Sequence, residues 1–322
     1  MQNTAEHICL IVNPMAGAGA AGRSLDGLKR ALDTHFEQWT VHVTEGPGHA
    51  SSLAAEAAQA GHVQLVAAVG GDGTCHEVVN GLMDGDAPIN PSMVFTVIPF
   101  GTGSDLQKSL EVPSKLSGAL RVAAAGADRL SDVGLATVTQ GGEQRKRHFI
   151  NVGGFGANGE VVRQVNAGNK ALGGRVAFAR AALAAATNYS PALVRLRWAD
   201  ADEREQEWEG RLLSCFVGNG AYCGGGMWVG RGGTMSDGRL DLSVIPSTGI
   251  LRQLVDLRRL YDGHLDRAKN AFQKQITSVH ATARQREAVY VDLDGELSGT
   301  LPLHFQILPQ TLQIRGGWGS GV

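Results

Sequence analysis

From residue 8 to residue 125 the sequence switches repeatedly between short apolar runs and stretches with helical spacing, and this alternation restricts the fold more than any other feature. Residues 8–12 read as a buried strand, 24–39 as a helix, 41–44 as a strand, 50–60 as a helix and 65–69 as a strand. Residues 77–83 follow as a helix, 94–98 as a strand, and 114–125 as a helix that Ser114 caps. Strands joined through helices run parallel, because each crossover carries the chain back to the same edge, and the helices cover both faces of the sheet. Such sheets bind ligands beyond the carboxyl ends of their strands. Two glycine-rich segments fall there: Asn13-Pro14-Met15-Ala16-Gly17-Ala18-Gly19 after the first strand and Gly70-Gly71-Asp72-Gly73-Thr74 after the third.

Past residue 135 strand-like runs dominate, at 148–152, 193–198, 212–217, 240–245, 279–282 and 289–293, which predicts a second, mainly antiparallel domain. Helical patterns at 175–187 and 250–261 interrupt it, and the tail carries runs at 303–308 and 312–314 on either side of Pro309. A chain of 322 residues has material for two cores.

Charge narrows the partners. With 29 basic against 31 acidic residues there is no global attraction to nucleic acid or to anionic lipid. Cys9, Cys75, Cys215 and Cys223 form no metal-type pair, and Cys9 and Cys215 lie in apolar runs, so free thiols in a reducing, cytoplasmic compartment are expected. The segment 1–7 lacks the profile of a signal peptide, and the weakly polar stretch 176–187 is too short to cross a bilayer. Any membrane contact is therefore made from the surface. The 250–261 pattern sets Leu251, Leu254, Val255 and Leu257 beside Arg252, Arg258 and Arg259, which suits an anionic membrane, although a core-facing amphipathic helix is the simpler reading. Trp198, Trp208, Trp228 and Trp318 read as packing residues.

The most chemically specific segment surrounds Asp72. Gly70, Gly71 and Gly73 let the backbone approach a ligand closely, and the unpaired amides that open the next helix point at whatever sits there. That ligand should be an anion. A carboxylate at the centre of the turn repels bare phosphate, so a divalent cation or a donor network has to intervene, and a metal-nucleotide is the natural candidate.

The run Gly70-Gly71-Asp72-Gly73-Thr74-Cys75-His76-Glu77-Val78-Val79-Asn80-Gly81 resembles the nucleotide motif of the diacylglycerol kinase catalytic superfamily, which includes bacterial diacylglycerol kinases and sphingosine kinases. Further segments match in order: Asn13-Pro14-Met15-Ala16-Gly17, Thr44, Pro99-Phe100-Gly101-Thr102-Gly103-Ser104-Asp105, the stretch from Gly218 to Met227 with Asp237-Gly238-Arg239, and Asp292-Leu293-Asp294-Gly295-Glu296. His76 and Ser104 stand where the family more often has Asn, and Gly230-Arg231 where it often has Ala-Pro.

The resemblance implies an α/β nucleotide-binding domain of the NAD kinase/diacylglycerol kinase type over residues 1–135. A β-sandwich lipid domain would span 136–308, with the tail 309–322 free to return to the first and a catalytic cleft between the two. It implies ATP phosphates over Asn13, Pro14, Met15, Ala16 and Gly17 and over Gly70, Gly71, Asp72, Gly73, Thr74, Cys75, His76 and Glu77, with Thr44 and Thr102 assisting. Mg2+ would be organised by Asp72, Asp105 and Asp132, and a second, structural Mg2+ by Thr234, Asp237 and Arg239. Glu296 and Asp294 would activate the acceptor hydroxyl, with Asp72 the third catalytic residue. Diacylglycerol at a membrane surface is the leading acceptor by association. Sphingoid base or ceramide, a soluble acceptor as in NAD kinases, and a non-catalytic nucleotide or lipid sensor are the alternatives. No nucleic acid partner is expected, and a homodimer is left open.

Overall fold

The structure, a computed structural model, describes residues 4–100, 105–167, 189–230, 234–249, 255, 258–268, 270–284 and 288–318. The chain divides into two compact units, Met1–Asp132 with Gln310–Val322, and Val133–Pro309.

In the first unit the chain runs β1 (Thr4–Val12), α1 (Ala16–Arg23), α2 (Leu25–Leu32), β2 (Phe36–Val43), α3 (His49–Gln59), β3 (Leu65–Gly70) and α4 (Asp72–Leu82). A short hairpin, β4 (Met83–Asp84) and β5 (Ala87–Pro88), leads to β6 (Val94–Pro99), α5 (Asp105–Ser109) and α6 (Leu116–Ala125). The strands lie in the order β6-β3-β1-β2 and are parallel. Every residue of β3 is buried, as expected for a central strand covered on both faces. The register sets Val43, Val12, Val69 and Ile98 in one row, so all four carboxyl ends finish at the same level.

The second unit begins within β7 (Ala127–Gln140) and continues through β8 (Glu143–Phe149), β9 (Val152–Gly156), α7 (Ala157–Ala167), β10 (Ala192–Asp200) and β11 (Glu205–Gly218). The two-stranded ribbon β12 (Tyr222–Cys223) and β13 (Met227–Trp228) precedes β14 (Leu240–Pro246), β15 (Phe272–Ala283), β16 (Tyr290–Leu293) and β17 (Glu296–Gly316), the last of which ends in the first unit. Neighbours here are antiparallel, and the extra pairings β10–β11 and β15–β17 fold the sheet back on itself around one apolar core. Phe149 and Phe305 meet edge to face in that core, 5.2 Å apart, and Gly134 leaves the room that the Phe149 ring fills.

Several expectations from the sequence change. The pattern at 24–39 divides: α2 stops at Leu32, Thr34 Oγ1 donates to Ala31 O at 2.7 Å, and the remainder belongs to β2. Ser114 does not cap α6; Lys115 holds that position, and Ser114 Oγ accepts from Gln107 Nε2. The run 148–152 is broken at Ile150 and Asn151, and the two tail runs form one strand straight through Pro309. In the 250–261 pattern, Val255 and residues 258–261 are helical, while the pattern at 175–187 lies outside the described residues. All four cysteines are free.

The last part of β17 pairs with β6 and carries Arg315, whose guanidinium is 7 % exposed. It donates to both carboxylate oxygens of Glu6 (2.6 and 3.0 Å), to both of Asp128 (2.6 and 2.8 Å) and to Ala123 O (2.9 Å). The tail is thereby tied to the first strand and to the start of β7. Arg315→Leu should destabilise the first unit by about 2 kcal/mol, less than the about 3–5 of a fully buried pair, because both carboxylates are about one-third exposed. The check is a lower urea midpoint for the transition that removes the α/β signal.

Candidate active site

The four aligned strand ends gather the loops that carry the two glycine-rich segments. Asn13 N donates to Val69 O (3.0 Å), Thr44 N to Val12 O (2.9 Å) and Phe100 N to Gly70 O (2.9 Å), which sets the four segments side by side. Asn13 Nδ2 reaches Thr74 Oγ1 (3.2 Å), and Asn13 Oδ1 accepts from Met15 N (3.0 Å), so this residue joins the first loop to the start of α4. Behind Pro14 and Met15 the chain turns left-handed through Gly17, Ala18 and Gly19 at φ 60, 54 and 81°. Gly17 is required there, since a Cβ would lie 2.5 Å from Phe100 O. Ala18 holds a conformation that non-glycine residues rarely adopt, a local cost often found at ligand-binding loops.

At the start of α4, Gly71 O accepts from Thr74 N and Cys75 N, so the helix opens directly from the glycine-rich turn. The side chains of Thr74, Cys75 and His76 are buried, so these residues can serve a phosphate through backbone rather than side chain. Glu77 turns to its neighbour helix: its carboxylate accepts from Ala50 N (3.2 Å) at the opening of α3, and its carbonyl from Ser51 Oγ (2.6 Å). Met15 is 75 % exposed at the loop, and Thr102 lies outside the described residues. Arg23, not singled out from sequence, donates to Ala18 O at 3.2 Å and supplies a cation beside the loop.

The three carboxylates expected to organise magnesium occupy different settings. Half-buried Asp72 accepts from Asp105 N (3.2 Å) and Leu106 N (3.3 Å), and so closes the start of α5. Asp105 is buried and paired with Lys108 Nζ at 2.7 Å. Asp132 is fully buried and accepts from Gln310 N at 2.7 Å, which ties the tail to β7. Among the described residues no three His, Cys, Asp or Glu side chains are grouped to hold a metal. Magnesium asks for less than that, one or two carboxylates with waters and phosphate oxygens, and Asp72 with Asp105 meets this demand.

In the second unit, Asp294 stands at φ 50° in the turn between β16 and β17 and is buried. Its Oδ1 accepts from Asn151 N (2.9 Å) and Val152 N (3.1 Å), its Oδ2 from Ile150 N (3.1 Å), and its own amide donates to Val152 O (2.9 Å). Two residues on, Glu296 is exposed. Asp294 thus positions the turn and Glu296 presents a carboxylate to solvent. Asp292, on the same strand, accepts from Asn158 Nδ2 at 2.8 Å; burial first, and the charge of Asp294 second, push its carboxyl up to about 7.

The second set of residues expected to hold a metal is knit into one turn. Asp237 Oδ2 accepts from Thr234 N (3.3 Å), Oδ1 from Arg239 N (3.0 Å), and Thr234 O from Asp237 N (3.3 Å). These bonds use one lone pair of each oxygen, so Asp237 with the main-chain oxygens of Thr234 and Arg239 still fits a cation bound through backbone and water.

Residues 7–136 match the diacylglycerol kinase catalytic domain, and residues 151–316 match the YegS C-terminal NAD kinase beta sandwich-like domain. Together they define a two-domain kinase class, a phosphotransferase with an α/β domain and a β-sandwich-like one. A "Probable lipid kinase YegS-like" protein of Chromohalobacter salexigens is 33% identical over 320 residues, covering 97% of this chain and 94% of its own. One of the same name from Pseudomonas fluorescens is 30% identical over 277 residues, 85% of this chain and 84% of its own. The chain belongs to the YegS-like lipid kinases. A crystal structure of a diacylglycerol kinase from Bacillus anthracis shares the fold at TM-score 0.69 and 24% identity, with 98% of each chain covered. A second Bacillus anthracis structure reaches 0.74 at 28% identity, covering 98% of this chain and 99% of its own.

Asp294→Ala should cost about 2–3 kcal/mol in thermal or urea unfolding, because three buried amides lose their acceptor, whereas Glu296→Gln should stay within about 0.5 kcal/mol. Asp292 gives a pH signature. Its folded pKa lies above the unfolded one, so the native state binds the extra proton and stability falls as pH rises from about 4 to about 7. Asp292→Asn should flatten that part of a stability–pH profile and raise stability at pH values above about 7.

Proposed function

We propose that this lipid kinase moves the γ-phosphate of ATP to a lipid hydroxyl, with diacylglycerol as the leading acceptor and phosphatidic acid as its product. At the donor end, the N-terminus of α4 and the loop from Asn13 to Gly17 receive the phosphates, with Arg23 as a cation beside the loop. Asp72 with Asp105 would hold magnesium, which when bound supplies charge neutralisation at the phosphates.

The observation that carries the reading on the acceptor side is the contrast between two carboxylates of one turn. Asp294 is consumed by three amides, while Glu296, on the same rigid backbone, faces solvent. Glu296 therefore takes the proton of the acceptor hydroxyl. A carboxylate with a pKa near about 4 is a weak base toward an alcohol, and phosphoryl transfer tolerates this because its loose transition state needs proton removal only late.

Radiolabelled ATP offered with diacylglycerol, sphingoid base, ceramide, phosphatidylglycerol and NAD tests the assignment. Label is expected on a lipid, with kcat lowered about 100-fold or more by Glu296→Gln and by Asp72→Asn. Label on NAD alone would sink the lipid acceptor, and label on nothing would favour a non-catalytic sensor.

A further inference from the structure

The ladder between β15 and β17, one of the two pairings that fold the second unit's sheet back on itself, is short. It joins Ser278 to Gln306, Val279 to Phe305, His280 to His304 and Ala281 to Leu303. Val279, Phe305, Ala281 and Leu303 belong to the apolar core. Alternation along each strand therefore turns the other two pairs outward, and one of them is a pair of histidines. The His280 and His304 rings lie face to face, with centroids 3.8 Å apart and planes within 4° of parallel. His280 is exposed and His304 half-buried, so protons reach the stack from solvent.

Rings this close constrain charge. Two neutral imidazoles stack across a strand pair like other aromatic couples, and one imidazolium over a neutral ring is tolerated. Two imidazolium rings at this spacing set like charges directly opposite each other and drive the strands apart. The surroundings do not offset a second proton. On β10, Arg197 stands directly opposite His280, so a row across four strands reads Glu207, Arg197, His280 and His304. On the other side of β17, β7 carries no ionisable side chain from 133 to 140, and β8 beyond it carries Arg145, Lys146 and Arg147. Burial first, and Arg197 second, hold the His280 pKa below the usual histidine value, with Glu205 of β11 pulling the other way. Burial first, and His280 second, do the same for His304.

We infer that the His280–His304 stack is a pH-sensitive latch on this closure, shut while both rings are neutral and released in acid when a second proton enters the stack. β17 begins at Glu296, so the latch grips the strand that also carries the exposed carboxylate. The inference does not depend on the kinase reading. Both rings bind protons more weakly in the folded than in the unfolded chain, so their contribution to stability is complete above about pH 6.5 and is lost as pH falls below it. Asp292 works in the opposite sense, because its raised carboxyl pKa stabilises the native state as pH falls. Acid loosening at the seam is therefore not its effect.

The test is amide exchange on the full chain, read residue by residue and corrected for the intrinsic pH dependence of exchange. From about pH 7.5 to about pH 5.5, protection of residues 278–281 and 303–306 should fall about tenfold, with that of the β10–β11 ladder unchanged. His280→Gln and His304→Gln should each remove most of that fall, since either leaves one ring to protonate alone. In the wild type, with no substitution, the Cε1 protons of the two rings should titrate in two separate steps below about pH 6.5. Independent titration of both rings near pH 6.5, or equal seam protection at the two pH values, overturns the inference. So does an equal loss in the β10–β11 ladder, which would make the acid effect global unfolding, or a fall that persists undiminished in both variants.

Discussion

The second unit depends on one buried carboxylate. Asp294 gathers the amides of Ile150, Asn151 and Val152 at the point where the strand run breaks, and each of those donors would otherwise face an apolar interior unpaired. The break exists because this segment gives its amides to a side chain and not to a neighbouring strand. From the same backbone hang the ribbon at Tyr222 and the start of β9, and across from it stands the turn that presents Glu296. A charge-assisted acceptor with three donors is stronger than three neutral pairings, which suits a turn that has to hold Asp294 at positive φ.

Asp72 repeats this arrangement in the first unit. It too accepts two consecutive amides, here those that open α5, and so fixes the segment after β6 against the segment after β3. The level strand ends place Asn13, Thr44 and Gly70 beside each other, and Gly17 allows the first loop to close onto Phe100. In both units the aspartate of the motif holds the backbone of its own turn. Replacing it removes a charge and also releases backbone.

The sequence made the fold class legible because its two signals are periodic: strand–helix alternation up to residue 125 and apolar runs with strand character after it. Boundaries were lost where one pattern ran into another. Residues 36–39 continue the helical spacing of α2 closely enough to hide a strand in which only the first residue, Phe36, is buried. β8, with five exposed residues out of seven, has no apolar run to reveal it. Pro309 read as a breaker because a proline usually ends pairing, yet β17 passes it.

The sequence marked candidate residues by type, and their surroundings only the structure supplies. Nothing in the sequence distinguishes a carboxylate that will accept amides from one that will meet substrate, because both functions favour Asp beside Gly in a turn. The distinction is one of depth. Asp294, at the turn's inner position, is surrounded by donors it must satisfy; Glu296, one glycine later and one methylene longer, clears the turn. A proton acceptor has to be held still and also remain accessible, and a single carboxylate does both poorly. On the proposed reading, Asp-Gly-Glu would divide this work, the first carboxylate holding the turn and the second, exposed one meeting the hydroxyl.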